Sequence, residues 1–354
     1  MRYFRILLCT LCLCSFSAGA TVPQIRIALE KGKRQAQVST ETETIDIASN
    51  EKGIFFDGQW KNSRSFVIRP KQKNFRLNNR PYHGILTGYL QKDGSLLLVN
   101  ELSIEDYLVG LVQGEISAKW PLESIKAQAV AARTYALQKQ RQRANARLYD
   151  LEITVADQVY EPKEGSDPIL EEAIRETRGE ILWYFDFFPA YFHSCCGGQT
   201  ELAGRVWDRE DTSSSIIDPY CRQCPNTRWE VRIHPKELLT KLRSQGLEGT
   251  KIVLIQAEKF DHSPRTATVM ITTDVSTLFL RATDLRNILG TSTLKSAWFD
   301  VSMSPRNITF SGKGYGHGVG MCQWGAKGMA EAGKNYREIL EFYYPKAALR
   351  KIYQ

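Results

Sequence analysis

A single glutamate, Glu115, closes the apolar run Tyr107-Leu108-Val109-Gly110-Leu111-Val112, with Gln113 and Gly114 before it and Trp120-Pro121 after. Apolar surroundings disfavour the charged form of a carboxyl and keep its proton on near neutral pH. A carboxyl held in that way can donate to the leaving oxygen of a glycosidic bond. Glu105 and Glu123 read instead as solvated charges near helix starts. By spacing alone, Glu115 reads more readily as a structural residue than as an acid.

Two further stretches carry residues that packing alone would not choose. Tyr191-Phe192-His193-Ser194-Cys195-Cys196-Gly197-Gly198-Gln199-Thr200 is followed by Cys221-Arg222-Gln223-Cys224. A Cys-x-x-Cys pair with His and Cys about 25 residues upstream has the ligand types of a tetrahedral zinc site. In an exported chain the same cysteines could instead form disulfides. The third stretch runs from Gly312 to Ala326, with glycine at every second position as far as Gly320 and His317 among them. That pattern suggests a strand or loop whose backbone approaches something closely. It matches neither the dinucleotide fingerprint nor the Walker loop, so nucleotide binding is excluded. His317 reads either as an exposed functional imidazole or as a core histidine satisfied by a carbonyl.

These residues must be held by recognisable elements. From 22 to 99 the chain reads as strands, with alternation at Ile25–Leu29, Thr44–Ile47 and Ser65–Ile68. Runs from Gly84 to Leu90 and from Ser95 to Val99 flank Asp93-Gly94, a hairpin signal. Helical spacing begins at Pro121, with Leu122, Ile125, Ala129, Ala132 and Ala136 on one face, and extends into a basic stretch from Lys139 to Arg147. Asp167-Pro168 opens a second helix that Gly179 ends. An aromatic strand-like run follows from Ile181 to Phe192. Between 229 and 310, strands are expected at 251–257, 266–272 and 296–303, with short helices at 235–242 and 282–289. In the tail, Ala326, Met329 and Ala330 share a helix face that Gly333 ends, and Asn335 with Glu338 makes a capping box for a last helix stopped by Pro345. The fold class is α+β: a β-rich N-terminal part (21–100), then a mixed α/β catalytic core (101–354) with an inserted mixed subdomain (228–310).

The chain has 354 residues and a formal net charge of +8. Arg2 and Arg5, the apolar run from Ile6 to Phe16 and Ala18-Gly19-Ala20 form the pattern of a cleavable secretory signal over 1–20. Its removal takes two arginines and lowers the charge to +6. The apolar run is too short to span a bilayer, and no later stretch suffices, so no transmembrane span is expected in the mature chain. A moderately basic exported protein meets anionic wall polymers and lipid head groups, although the charge can equally serve solubility. No basic cluster interleaved with aromatics points to nucleic acid. Five cysteines remain after cleavage, Cys195, Cys196, Cys221, Cys224 and Cys322, and an odd number cannot all pair within one chain.

The ordered set of motifs resembles the sporulation stage II protein D (SpoIID) family, including its LytB amidase-enhancer group. The resemblance runs through Ile25–Leu29, Glu105-Asp106-Tyr107-Leu108, the segment from Glu115 to Tyr135, and Asp157-Gln158-Val159-Tyr160. It continues through Thr177–Leu182, His193-Ser194 with Gly197–Thr200, Leu285-Arg286 with Leu289-Gly290, Gly316–Met321, and Ile339-Leu340 with Tyr343-Tyr344-Pro345. It implies a lytic transglycosylase acting between N-acetylmuramic acid and N-acetylglucosamine of peptidoglycan, on strands an amidase has stripped of peptide. The family's catalytic glutamate falls on Glu115. Gln128, Arg133, His193, His317 and Gln323 are then candidates to hold sugar hydroxyls or the lactyl carboxylate. Some members carry zinc near the site. The double cysteine departs from the simplest family pattern, and the expected ligand set for a structural zinc is His193, Cys196, Cys221 and Cys224, with no organic cofactor. Expected partners are glycan strands and a peptidoglycan amidase, in the periplasm or at the cell envelope. Three other readings stay open: an enhancer that activates an amidase without cleaving, a muramidase-type hydrolase, and a hydrolase centred on the Cys/His cluster.

Overall fold

The computed structural model describes residues 21–143, 148–153, 160, 165–208 and 212–354. The expected signal segment and positions 157–159 lie outside them. Helices and strands mix in an α+β chain that is strand-rich at its N-terminal end.

A five-stranded sheet runs in the order 151–152, 24–33, 96–103, 85–90, 65–68. The expected hairpin is there: Leu90 pairs opposite Leu96, and Gly94 turns the chain at φ 77°. Six short strands between 35 and 83 form a second sheet. Alternation puts Ile25, Ile27, Val38, Ile47, Ile54, Leu77 and Leu98 into one shared core.

Helix α1 (Ile104–Glu115) starts where strand 96–103 stops, because the Ser103 side chain accepts the Asp106 N–H. Its buried positions Ile104, Tyr107, Leu108, Leu111 and Val112 fall at helical spacing and seat it on that core. Helix α2 (Leu122–Arg143) follows. The spacing predicts one apolar face for it, but every residue from Ser124 to Leu137 is buried. Ile125, Ala129, Ala132 and Ala136 face the first core, whereas Ala127, Val130 and Ala131 face a second one. A helix covered on both sides needs small residues on the second face, which reads in sequence as no face at all.

Helix α3 (Pro168–Glu176) opens on the Asp167 cap, as expected. The aromatic run after it is not one strand. It breaks into 180–184, 186–187 and 192–193 because Phe185 takes a left-handed φ of 56° at a tight turn. Strand 180–184 pairs with a C-terminal strand, 348–351, that the sequence does not announce. A short helix α4 (Ala203–Trp207) follows.

Residues 229–310 fill a core of their own around Trp229, Leu238, Val269, Leu285, Phe299 and Phe310. Two three-stranded sheets and helices α5 (Pro235–Leu242) and α6 (Ala282–Leu289) surround it. The chain then returns to the second core through α7 (Gln323–Glu331) and α8 (Tyr336–Tyr343), and both hydrogen bonds of the Asn335/Glu338 capping box are present. Phe192-His193 and Met321-Cys322 pair in parallel, which joins the cysteine stretch to the glycine-rich one.

Candidate active site

Glu115 is the last residue of α1, half-buried, where the backbone leaves the helix at Ile116. The amide of Gln323, 208 residues further on, donates from Nε2 to Glu115 Oε2 at 3.2 Å. The same Nε2 lies 3.5 Å from Gln128 Oε1 on α2. Gln323 thus bridges the carboxyl and Gln128, and all three chain segments meet there. Gln128 is 1% exposed, and its own Nε2 has no hydrogen-bond partner among the described residues. A buried amide without a partner costs free energy unless a ligand or water completes it. Trp120 and Trp324 meet beside these groups with ring centroids 5.1 Å apart.

The glycine-rich stretch is a loop between strands 308–312 and 321–322. Gly314, Gly316, Gly318 and Gly320 all take positive φ, which explains the alternation in the sequence. A Cβ at Gly318 would lie 2.3 Å from the Arg265 guanidinium, so the backbone closeness expected there is real. His193 Nδ1 lies 3.0 Å from the Val319 carbonyl, and since a carbonyl only accepts, that nitrogen carries the proton. His317 Nδ1 accepts from the Val319 N–H at 3.0 Å, so its proton is on Nε2. Burial, then the charge of Arg265, pushes His193 down to about 4. Burial, then His193 and Arg286, holds His317 well below the ordinary value. The two neutral rings, 5.5 Å apart, sit with Trp207 and Tyr191 in an aromatic group. His193 Nε2 is buried and unpartnered among the described residues.

Arg133 is not presented to a ligand. It is fully buried, donates from Nε and Nη2 to Glu105 at 3.0 and 2.8 Å, and also bonds the Glu180 carbonyl. Glu105 is therefore no solvated charge: it is 6% exposed and also accepts the Gly179 N–H and the Tyr353 hydroxyl. Glu123, half-buried, pairs with Lys126 and accepts the Tyr336 N–H from α8. Burial of these groups depends on tertiary partners far along the chain, and no local spacing signals it.

All five cysteines are buried and free. Cys221 is the hub: its Sγ lies 3.3 Å from Cys322 Sγ and 3.5 Å from Cys195 Sγ. Cys196 Sγ contacts Asp218 Oδ2 at 3.1 Å. Ligand atoms of Cys196, Asp218, Cys221 and Cys322 all lie within 4.8 Å of one another. Of the expected ligand set, Cys196 and Cys221 come together here. His193 is not among the residues whose ligand atoms converge there, although its Nδ1 is held by the Val319 carbonyl and its Nε2 is left open, and Cys224 sits at the side of Cys195 and Cys221. Cys322 and Asp218 were missed as partners. The odd cysteine count was the one signal that pointed to Cys322.

Comparison with known proteins bears on much of the chain. The model of the SpoIID family (stage II sporulation protein) matches residues 92–184, which hold Glu115, Gln128 and Arg133. A model for a domain of unknown function (DUF8618) matches 219–320. An uncharacterized protein of Brachyspira hyodysenteriae is 35% identical, over 85% of this chain and 78% of its own length. The stage II sporulation protein D of Bacillus amyloliquefaciens is 31% identical, over 70% of this chain and 74% of its own. The amidase enhancer of Bacillus subtilis is 30% identical over 68% of this chain, an alignment that spans 40% of that relative.

Proposed function

The chain belongs to the stage II sporulation protein D family, and from that premise we propose that it is an exported lytic transglycosylase of peptidoglycan glycan strands. The observation that carries the reading is the Glu115 carboxyl, held half-buried at a helix end by an amide from the far end of the chain. The C-terminal end of a helix bears partial negative charge, which disfavours a carboxylate and suits a proton donor.

In this reading Glu115 gives its proton to the oxygen linking N-acetylmuramic acid to N-acetylglucosamine. The C1–O bond breaks and an oxocarbenium-like centre forms at C1 of the muramic residue. The Glu115 carboxylate then takes the proton of that sugar's C6 hydroxyl as O6 bonds to C1. The products are an anhydro end and a free 4-hydroxyl; no water is consumed, and the enzyme regains its starting protonation. One carboxyl serves both steps, in contrast to the two that ordinary glycoside hydrolysis uses. Gln323 orients the acid, and the unpartnered Gln128 amide is placed to complete its hydrogen bonding with substrate. Trp120, Trp324 and the Tyr191/Trp207/His317 group offer faces for sugar rings. His193 is neutral and its open Nε2 can accept a hydrogen bond without adding charge, whereas the backbone at Val319 and Phe192 already engages the His317 ring. Peptide-free strands are the preferred substrate, and the cell envelope is the place of action. No helix among the described residues is long and apolar enough to cross a membrane.

The test is digestion of peptide-free glycan strands, with the fragments weighed. Anhydro ends are expected. Ends one water heavier would mean a muramidase-type hydrolase. Glu115→Gln should lower the rate by about 100-fold or more, the span of general acid catalysis; undiminished cleavage would remove Glu115 from the mechanism. The similarity to an amidase enhancer supports a second reading, in which the chain binds and activates a peptidoglycan amidase. Intact strands together with faster amidase turnover would favour it.

A further inference from the structure

We propose that Cys196, Asp218, Cys221 and Cys322 bind one divalent ion of the zinc class, and that this ion fixes the start of α7 and hence the Gln323 amide that holds Glu115. The assignment replaces His193 and Cys224 of the sequence-based ligand set by Asp218 and Cys322.

Three sulfurs and one carboxylate are a donor set that suits zinc, with its borderline softness and tetrahedral preference. Zinc–sulfur bonds of about 2.3 Å at tetrahedral angles put ligand sulfurs about 3.8 Å apart. Cys221 and Cys322 are 3.3 Å apart, so a shift of a few tenths of an ångström suffices.

The backbone around the sulfurs is arranged for thiolates. Cys196 N–H and Gly325 N–H both point to Cys322 Sγ, at 3.2 and 3.3 Å. Gly198 N–H points to Cys196 Sγ at 3.3 Å. A neutral thiol is a weak acceptor and does not call for two amide donors; a thiolate does. Buried thiolates this close repel one another strongly unless a cation lies among them. Asp218 is 3% exposed and carries the outer support of a ligating carboxylate: the Tyr343 hydroxyl donates to Oδ2 at 2.8 Å and Tyr220 N–H to Oδ1 at 2.9 Å. A Cβ at Gly325 would lie 2.0 Å from Tyr343 Oη and 2.3 Å from Asp218 Oδ2, so α7 can seat against this pair only with glycine there.

The link to the acid is covalent and short. Cys322 caps α7 through its sulfur, and the next residue is Gln323. Whatever anchors Cys322 Sγ anchors the backbone that aims Gln323 at Glu115. Cys195 and Cys224 share Cys221 from another side, exchange hydrogen bonds with each other, and have no carboxylate partner among the described residues. They remain as thiols outside the ligand set.

The test uses the mature full-length chain purified without chelator. Elemental analysis should find one zinc per chain. Replacement by cobalt(II) should give visible bands of tetrahedral coordination with thiolate-to-cobalt charge transfer. Cys322→Ser should weaken metal affinity by more than the 10- to 100-fold that losing an outer support costs, and Asp218→Asn should weaken it by about 10-fold or more, with folding followed by circular dichroism. His193→Gln and Cys195→Ser should each keep one equivalent. Metal retained by Cys322→Ser but lost from His193→Gln would overturn the assignment. So would a metal-free chain whose cysteines resist alkylation because they are oxidised to disulfides. Metal content is read without glycan, so it fails or holds independently of the transglycosylase reading.

Discussion

In the proposed reading, Glu115 and Gln323 make the smallest unit on which the chemistry rests. A hydrogen bond to an ionisable partner contributes about 1.5–3 kcal/mol, so Gln323→Ala should lower kcat by about 10- to 100-fold. Because Gln323 acts through Glu115, the pH profile of kcat should shift while KM changes little; a pure rise in KM would mean that Gln323 holds sugar instead. His317 gives a prediction about stability. Unfolded chain protonates it near the usual 6.5, whereas burial, then His193 and Arg286, defers protonation in the folded state to lower pH. Its contribution is complete above that usual value and is lost as pH falls through the folded one. The urea midpoint should fall with acidification, and less steeply in His317→Gln; equal slopes would show that the ring is not the source. At this scale the sequence marks residue types that could carry chemistry, as at Glu115 or the Cys-x-x-Cys pair, without marking their partners. It was silent on Asp218 and misleading on Glu105, since nothing within several residues of either reveals the partner that buries it.

Helices α1 and α2 do the positioning, and one buried ion pair joins them. Arg133 of α2 and Glu105 of α1 also engage Gly179, Glu180 and Tyr353. Removing one partner of such a pair costs about 3–5 kcal/mol, since the other is left charged and buried. Arg133→Ala should lower the chemical midpoint accordingly, and refolded enzyme should keep the kcat of the wild type; a selective rise in KM would instead make Arg133 a substrate ligand. Elements with one exposed face were legible from their period, as for α3, α5, α6 and α8. Helix α1 has the right spacing from Ile104 to Val112, yet Gly110, Gly114 and its three β-branched residues make the run look like an unassigned apolar stretch. Helix α2 shows the converse difficulty, because a spine between two cores has no polar side to reveal its period. Strand 348–351 exists because strand 180–184 offers it an edge, and its own residues carry little strand preference.

Across the whole molecule, the site is assembled from segments that the chain visits at its two ends, with residues 229–310 packed around a separate core between them. The family model stops at residue 184, but the acid's partner and two of the proposed metal ligands lie beyond residue 220. Contacts of that sequence separation slow folding, since loop closure must precede the reward. The hydrogen bond between Gln323 and Glu115 also sets a clock. During synthesis Glu115 leaves the ribosome 208 residues ahead of Gln323, so for most of its making the chain carries a glutamate but no assembled site. In the proposed reading, a copy that stops before Gln323 carries the acid without the amide that holds it, and the site is complete only when almost the last helix has been translated.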